Sequence, residues 1–125
     1  MALDGVIINV PDASENVAAS GRGGNHLADS PYPQARIVTL LECGSRTVID
    51  AQIGPCHAGE GELAQGLLGS LDGQMLVLAD RGFFSYAFWK QARATGAQLL
   101  WRVKKSHTCT PRCYSDCPTG PTCPS

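Results

Sequence analysis

Two aspartates stand where a carboxylate is costly unless something compensates it. Asp4 interrupts the apolar run Ala2 to Val10 (ALDGVIINV), and Asp80 closes the continuously apolar run Gln74 to Ala79 (QMLVLA). A charge in apolar surroundings has to be paired or bound to a metal. Ligand sites in open α/β sheets lie beyond the carboxyl ends of strands. If the two runs are neighbouring strands, both carboxylates converge on one place. There they suit a hard cation such as Mg²⁺ (or Mn²⁺), which takes a few carboxylates, waters and phosphate oxygens. Two such ions about 4 Å apart activate a water or 3′-hydroxyl and stabilise the leaving oxygen in phosphoryl transfer. The plainer alternative puts Asp4 in an Asp-Gly turn and makes Asp80 a cap for the segment after it. Residue pattern alone leaves these two readings level.

Thiols offer a second chemistry. Cys109, Cys113, Cys117 and Cys123 could give four zinc ligands, so a small zinc-binding module is the competing function. Their spacing, x3, x3 and x5, lacks the usual paired Cys-x2-4-Cys knuckles on both sides, and four prolines fall among and after them. Cys43 and Cys56 sit in apolar sequence and read as small buried hydrophobes. His26, His57 and His107 make no ligand spacing with one another. Glu60 and Glu62 read as acids favoured at the positive end of a helix. Trp89, Trp101, Phe83 and Phe84 read as packing residues.

The elements that must position the two acids follow from periodicity. Ala2 to Val10 is rich in β-branched residues and reads as a strand interrupted at Asp4-Gly5. Residues 11–33 hold glycines, prolines and small polar residues without an apolar period, which predicts a long loop or insertion. Gln34 to Cys43 and Arg46 to Ile53 are strand-like runs split by Gly44-Ser45, the spacing of a tight hairpin. Glu60 to Leu71 places Leu63, Leu67, Leu68 and Leu71 on one helical face, weakened by Gly61, Gly66 and Gly69. Gln74 to Ala79 reads as a buried parallel strand. Ser85 to Thr95 is an amphipathic helix with Ser85 as N-cap and Gly96 as stop. Gln98 to Val103 is a final strand. The order β-β-β-α-β-α-β, an antiparallel meander followed by parallel units, is that of an α/β ribonuclease H-like fold.

Composition sets outer bounds. The 125 residues, 43% hydrophobic and 17% charged, make one folded unit with a modest core. A net charge of −1 supplies no global basic field. No apolar run approaches the roughly 18 residues that span a bilayer. The amino terminus lacks the basic region of a signal peptide. Membrane contact is therefore not expected, and the cytoplasm is the default, with reduced cysteines.

Asp4-Gly5, then Asn9-Val10-Pro11-Asp12 and Asn16, resembles the opening of the transposase domain in the insertion-sequence-four group of bacterial DDE transposases. Pro33-Gln34-Ala35-Arg36 and Leu41-Glu42-Cys43-Gly44 resemble that group's second and third strands. The strongest likeness is Leu76-Val77-Leu78-Ala79-Asp80-Arg81-Gly82-Phe83-Phe84, similar to the box that carries the second catalytic Asp. Leu100-Trp101-Arg102-Val103-Lys104 resembles the strand after it. The likeness runs in order from about residue 2 to 105. It implies a partial ribonuclease H-like domain over residues 1–105, with Asp4 and Asp80 as the first two metal-binding acids. It also implies Mg²⁺ or Mn²⁺ as cofactor and DNA as partner, both insertion-sequence ends and target. Arg81, Arg102, Lys104 and Lys105 become candidates for phosphate contacts.

The same resemblance exposes a gap. Such transposases carry a third acid in a box of the form Tyr-x2-Arg-x3-Glu-x6-Lys, and no such box occurs in these residues. That group usually has a helical DNA-binding region before the first Asp, and the resemblance implies that it is not among these residues. Residues 106–125 form a Cys/Pro-rich tail, expected to be disordered. Asp116 to Ser125 (DCPTGPTCPS) can be encoded by GAC TGC CCG ACG GGT CCT ACC TGT CCC TC. Read two bases later, those codons encode Leu-Pro-Asp-Gly-Ser-Tyr-Leu-Ser, a segment such as the group places after this strand. The expectation is a frameshift between about Lys104 and Asp116, an out-of-frame tail, and a chain inactive alone. A further alternative is a non-catalytic regulator that associates with the full-length transposase.

Overall fold

The computed structural model describes residues 1–25 and 28–103. Its centre is a mixed sheet of five strands in the order β5-β4-β1-β6-β7. Strand β1 (Ala2–Asn9) pairs antiparallel with β4 (Gln34–Glu42), which pairs antiparallel with β5 (Thr47–Pro55). On its other side β1 runs parallel to β6 (Leu76–Ala79), and β6 parallel to β7 (Gln98–Trp101). The meander and the parallel units expected from the sequence are both present. So is the adjacency of the first strand and the strand that leads to Asp80.

Strand alternation separates two faces. Leu3, Val38, Leu40, Val77 and Ala79 point to one face and are buried there. Against them pack Ala64 of α2 (Glu60–Gln65), Leu67, and Phe88 and Ala92 of α3 (Tyr86–Ala94). Helix α3 starts as expected, with Ser85 Oγ accepting from the Phe88 amide at 3.2 Å. Gly96, at φ 90°, turns the chain out of the helix in a conformation that a side chain disfavours. Trp101 leans on Phe88, ring centroids 5.1 Å apart, so its role is packing. Trp89 is half-buried, with the Arg93 guanidinium 6.0 Å from its ring centre.

The structure corrects several expectations. Residues 11–33 are not a bare loop. They hold helix α1 (Ser14–Ser20) and a small hairpin of β2 (Gly24–Asn25) with β3 (Ala28–Asp29). Helix α1 buries none of its residues, so it leaves no apolar period to read. It is anchored by polar contacts instead, among them Asn16 Nδ2 donating to the Pro11 carbonyl at 2.9 Å and Arg22 paired with Asp12 at 2.5 Å. The β4–β5 connection is wider than two residues, since Glu42 pairs with Thr47. The Glu42 carboxylate accepts from the Gly44 amide and from the Ser45 amide and hydroxyl, and Arg46 sits at φ 59°. The segment from Glu60 is helical only to Gln65, followed by a short 3-10 turn at Leu68–Ser70, although its four leucines do pack on the core. Strand β6 is buried on one face only: Leu76 and Leu78 are exposed on the other. The tail 106–125, with its four cysteines, lies outside the described residues.

Candidate active site

Asp4 is not in a turn. It lies within β1, opposite Thr39, and Gly5 continues the ladder opposite Val38. Its Oδ1 accepts from the Gly5 amide at 3.0 Å. Asp80 follows the last residue of β6 and does not cap α3, because Ser85 holds that position. The register joins the two acids. Ala2 pairs with Leu78 and Leu3 with Ala79, so Asp4 and Asp80 are the next residues along two adjacent parallel strands. Strand spacing in such a ladder is about 4.8 Å.

Leu3 and Ala79 are buried under the helices, so by alternation the two aspartates belong to the opposite, open face. Both are exposed. The expectation of costly buried carboxylates therefore fails in its reason, because neither side chain is buried. A shallow depression of about 410 Å³ opens at this end of the sheet, lined by Ala2, Leu78, Asp80, Leu100 and Arg102 among others. Arg102 Nη1 lies 3.6 Å from Asp80 Oδ1, with the two side chains 72% and 63% exposed. Arg81 is exposed beside it in sequence. Lys104 and Lys105 lie outside the described residues. Among the described residues no group of three or more His, Cys, Asp or Glu is placed to hold a metal ion. Two carboxylates on neighbouring strand ends are nevertheless the oxygen donors a hard cation takes, with water and substrate oxygens completing its shell.

Glu60 stands in the first turn of α2, as the sequence reading had it, and makes further contacts there. Its carboxylate pairs with Arg36 Nη1 at 3.4 Å. A Cβ placed on Gly5 would stand 3.0 Å from Glu60 Oε1, and one on Gly82 would stand 2.9 Å from Oε2. The signal that could have found it is the glycine that closely follows each acid, in Asp4-Gly5 and Asp80-Arg81-Gly82.

The model of the transposase DDE domain family matches residues 1–116. The chain belongs to that family. This transposase DDE domain is similar to the transposase InsG for insertion sequence element IS4 of Escherichia coli (strain K12), with 30% identity over 103 residues. Those residues are 82% of this chain and 23% of that relative, so the chain spans about a quarter of the length of the curated relative it matches. No solved structure matches. Transposase DDE domains generally use divalent metal ions, and the mixed α/β sheet is compatible with part of a ribonuclease H-like domain. Among the described residues no helix is long and apolar enough to cross a membrane.

Proposed function

We propose that this chain supplies the first two metal-binding acids, Asp4 and Asp80, of a transposase active site that cleaves and joins DNA at insertion-sequence ends. One observation carries the reading: the parallel register of β1 and β6, which makes the two acids consecutive steps on neighbouring strands. Both carboxylates are exposed at one end of the sheet. They would hold Mg²⁺ or Mn²⁺. A bound divalent cation supplies Lewis-acid activation of the attacking oxygen and stabilisation of the leaving one.

The remaining roles belong to the chain itself. Arg102, beside Asp80, offers a planar pair of donors to a phosphate of bound DNA, and Arg81 offers a second. Lys104 and Lys105 extend the same basic sequence as further phosphate contacts. The depression between Leu78 and Leu100 would admit the backbone to Asp80. No third-acid box occurs in the 125 residues, so we expect the chain alone to bind cation and DNA weakly and to join no strands. Association with a full-length transposase would bring the chain to such ends.

The test is Mn²⁺ titration of the full chain, followed by electron paramagnetic resonance, beside Asp4→Asn and Asp80→Asn. Saturable binding that each substitution weakens by about tenfold or more supports the assignment. Equal binding by all three proteins would remove it.

A further inference from the structure

We propose that Glu60 is a positioning residue that sets the separation of Asp4 and Asp80 by bracing the backbones of Gly5 and Gly82. This rests on the reading of the two aspartates given above and adds a residue to it. Strands β1 and β6 pair only as far as Leu3 and Ala79. Beyond that step β1 continues along β4, whereas the chain after Ala79 leaves the sheet. Asp4 and Asp80 therefore stand one step past the last paired residues, Leu3 and Ala79. The Glu60 carboxylate fills the fork on the helix-covered side.

Its two oxygens divide the work. Oε1 faces Gly5 and Oε2 faces Gly82, each close enough that a methyl group would meet it at 3.0 Å or less. Arg36, on β4, holds the carboxylate from the third side at 3.4 Å. Arg36 is the partner of Ile7 in β1, so the anchor and the brace share one rigid sheet. Gly5 adjoins Asp4 directly, and Gly82 lies two residues beyond Asp80. A shift of Glu60 therefore moves the backbone that carries both acids. Neither glycine sits in the left-handed region, so an alanine there acts by displacing the carboxylate and not by straining the chain.

The experiment compares metal-free amide spectra and Mn²⁺ affinity for the full chain and four variants: Glu60→Ala, Gly82→Ala, the two combined, and Glu60→Gln. Glu60→Ala and Gly82→Ala should each shift amides in both segments, around Asp4-Gly5 and around Asp80 to Gly82. Each should weaken Mn²⁺ binding by about tenfold, the loss typical of supports behind a metal ligand. Their combination should be no worse than Glu60→Ala, because with the carboxylate gone the extra methyl displaces nothing. Glu60→Gln keeps the shape and should stay within about twofold of the parent, since the pair with Arg36 is partly exposed. Amide shifts confined to α2, additive losses in the combined variant, or a Gln variant as weak as the Ala variant would each overturn the brace. Paired amide shifts in a parent chain that binds no Mn²⁺ would support the brace and sink the metal assignment.

Discussion

Arg102 reaches across from the end of β7 to Asp80 at the end of β6, Nη1 to Oδ1 at 3.6 Å. The two side chains are mostly exposed, so solvent and salt screen the pair and it contributes little to stability. Its interest lies in competition. On the proposed reading, a cation held by Asp80 would free the guanidinium for a phosphate of bound DNA.

Arg102→Ala should raise Mn²⁺ affinity by about twofold, because a competing positive charge leaves Asp80. It should also lower DNA binding uniformly across sequences and reduce the salt slope by about one phosphate contact. Titration with Mn²⁺ and fluorescence anisotropy at several salt concentrations measure the two effects. If both stay unchanged, the pair is surface decoration.

Glu42 links the β4–β5 turn to pH. The Ser45 hydroxyl, then the Ser45 and Gly44 amides, hold its carboxyl down at about 2. A carboxyl whose folded pKa lies below its unfolded value stabilises the fold above the unfolded value. That contribution is lost as pH falls from about 4.5 toward 2. Glu42→Gln should therefore be less stable than the parent at pH 7, with the gap closing through that window. Thermal melts at pH 7, 4 and 2.5 would check it, and a gap constant across pH would contradict it.

Ser85 caps α3 through the 3.2 Å bond from the Phe88 amide. Ser85→Ala should cost about 1 kcal/mol, and Ser85→Asp should recover most of it. Urea unfolding of the three proteins gives the comparison. An alanine variant as stable as the parent would mean water replaces the cap at no cost.

The two faces of the sheet should respond differently. Phe88 is 1% exposed in the core, and Leu100 is 63% exposed on the open face. Phe88→Ala should cost about 3–5 kcal/mol, a large share of a small domain's stability. Leu100→Ser should stay within about 0.5 kcal/mol. Comparable losses from both would show that something covers the open face in solution.

What the residues revealed about the fold follows from burial. Leu3, Val38 and Val77 lie in apolar runs that are legible as strands, but the runs do not alternate, so which face is covered was not visible in sequence. Ser85 and Gly96 were legible, because their types are dictated by the ends of α3. Helix α1 was illegible because it buries nothing and is held by contacts such as Arg22–Asp12 that carry no period. Helix α2 ends early by tightening, with the Gly66 amide donating to the Leu63 carbonyl and the Leu67 amide to the Ala64 carbonyl. The wide turn after β4 depends on the Glu42 carboxylate, which no turn dipeptide encodes. At the site, Asp4 and Asp80 were legible as breaks in apolar runs, although the inferred burial cost was wrong. Glu60 was legible as a first-turn charge of α2, but its approach to Gly5 and Gly82 was not, because those glycines are distant in sequence and meet it only in the fold.

The convergence of Asp4 and Asp80 on one cation is tested most directly by iron-promoted cleavage of the chain. With Fe²⁺ bound and ascorbate with peroxide added, radicals cut the backbone next to the metal, and mass spectrometry locates the cuts. Two clusters of cuts are expected, one around Asp4 and one around Asp80, both suppressed by excess Mg²⁺ and both lost in Asp80→Asn. Cuts at one segment only, or cuts that persist in that variant, would contradict a shared site.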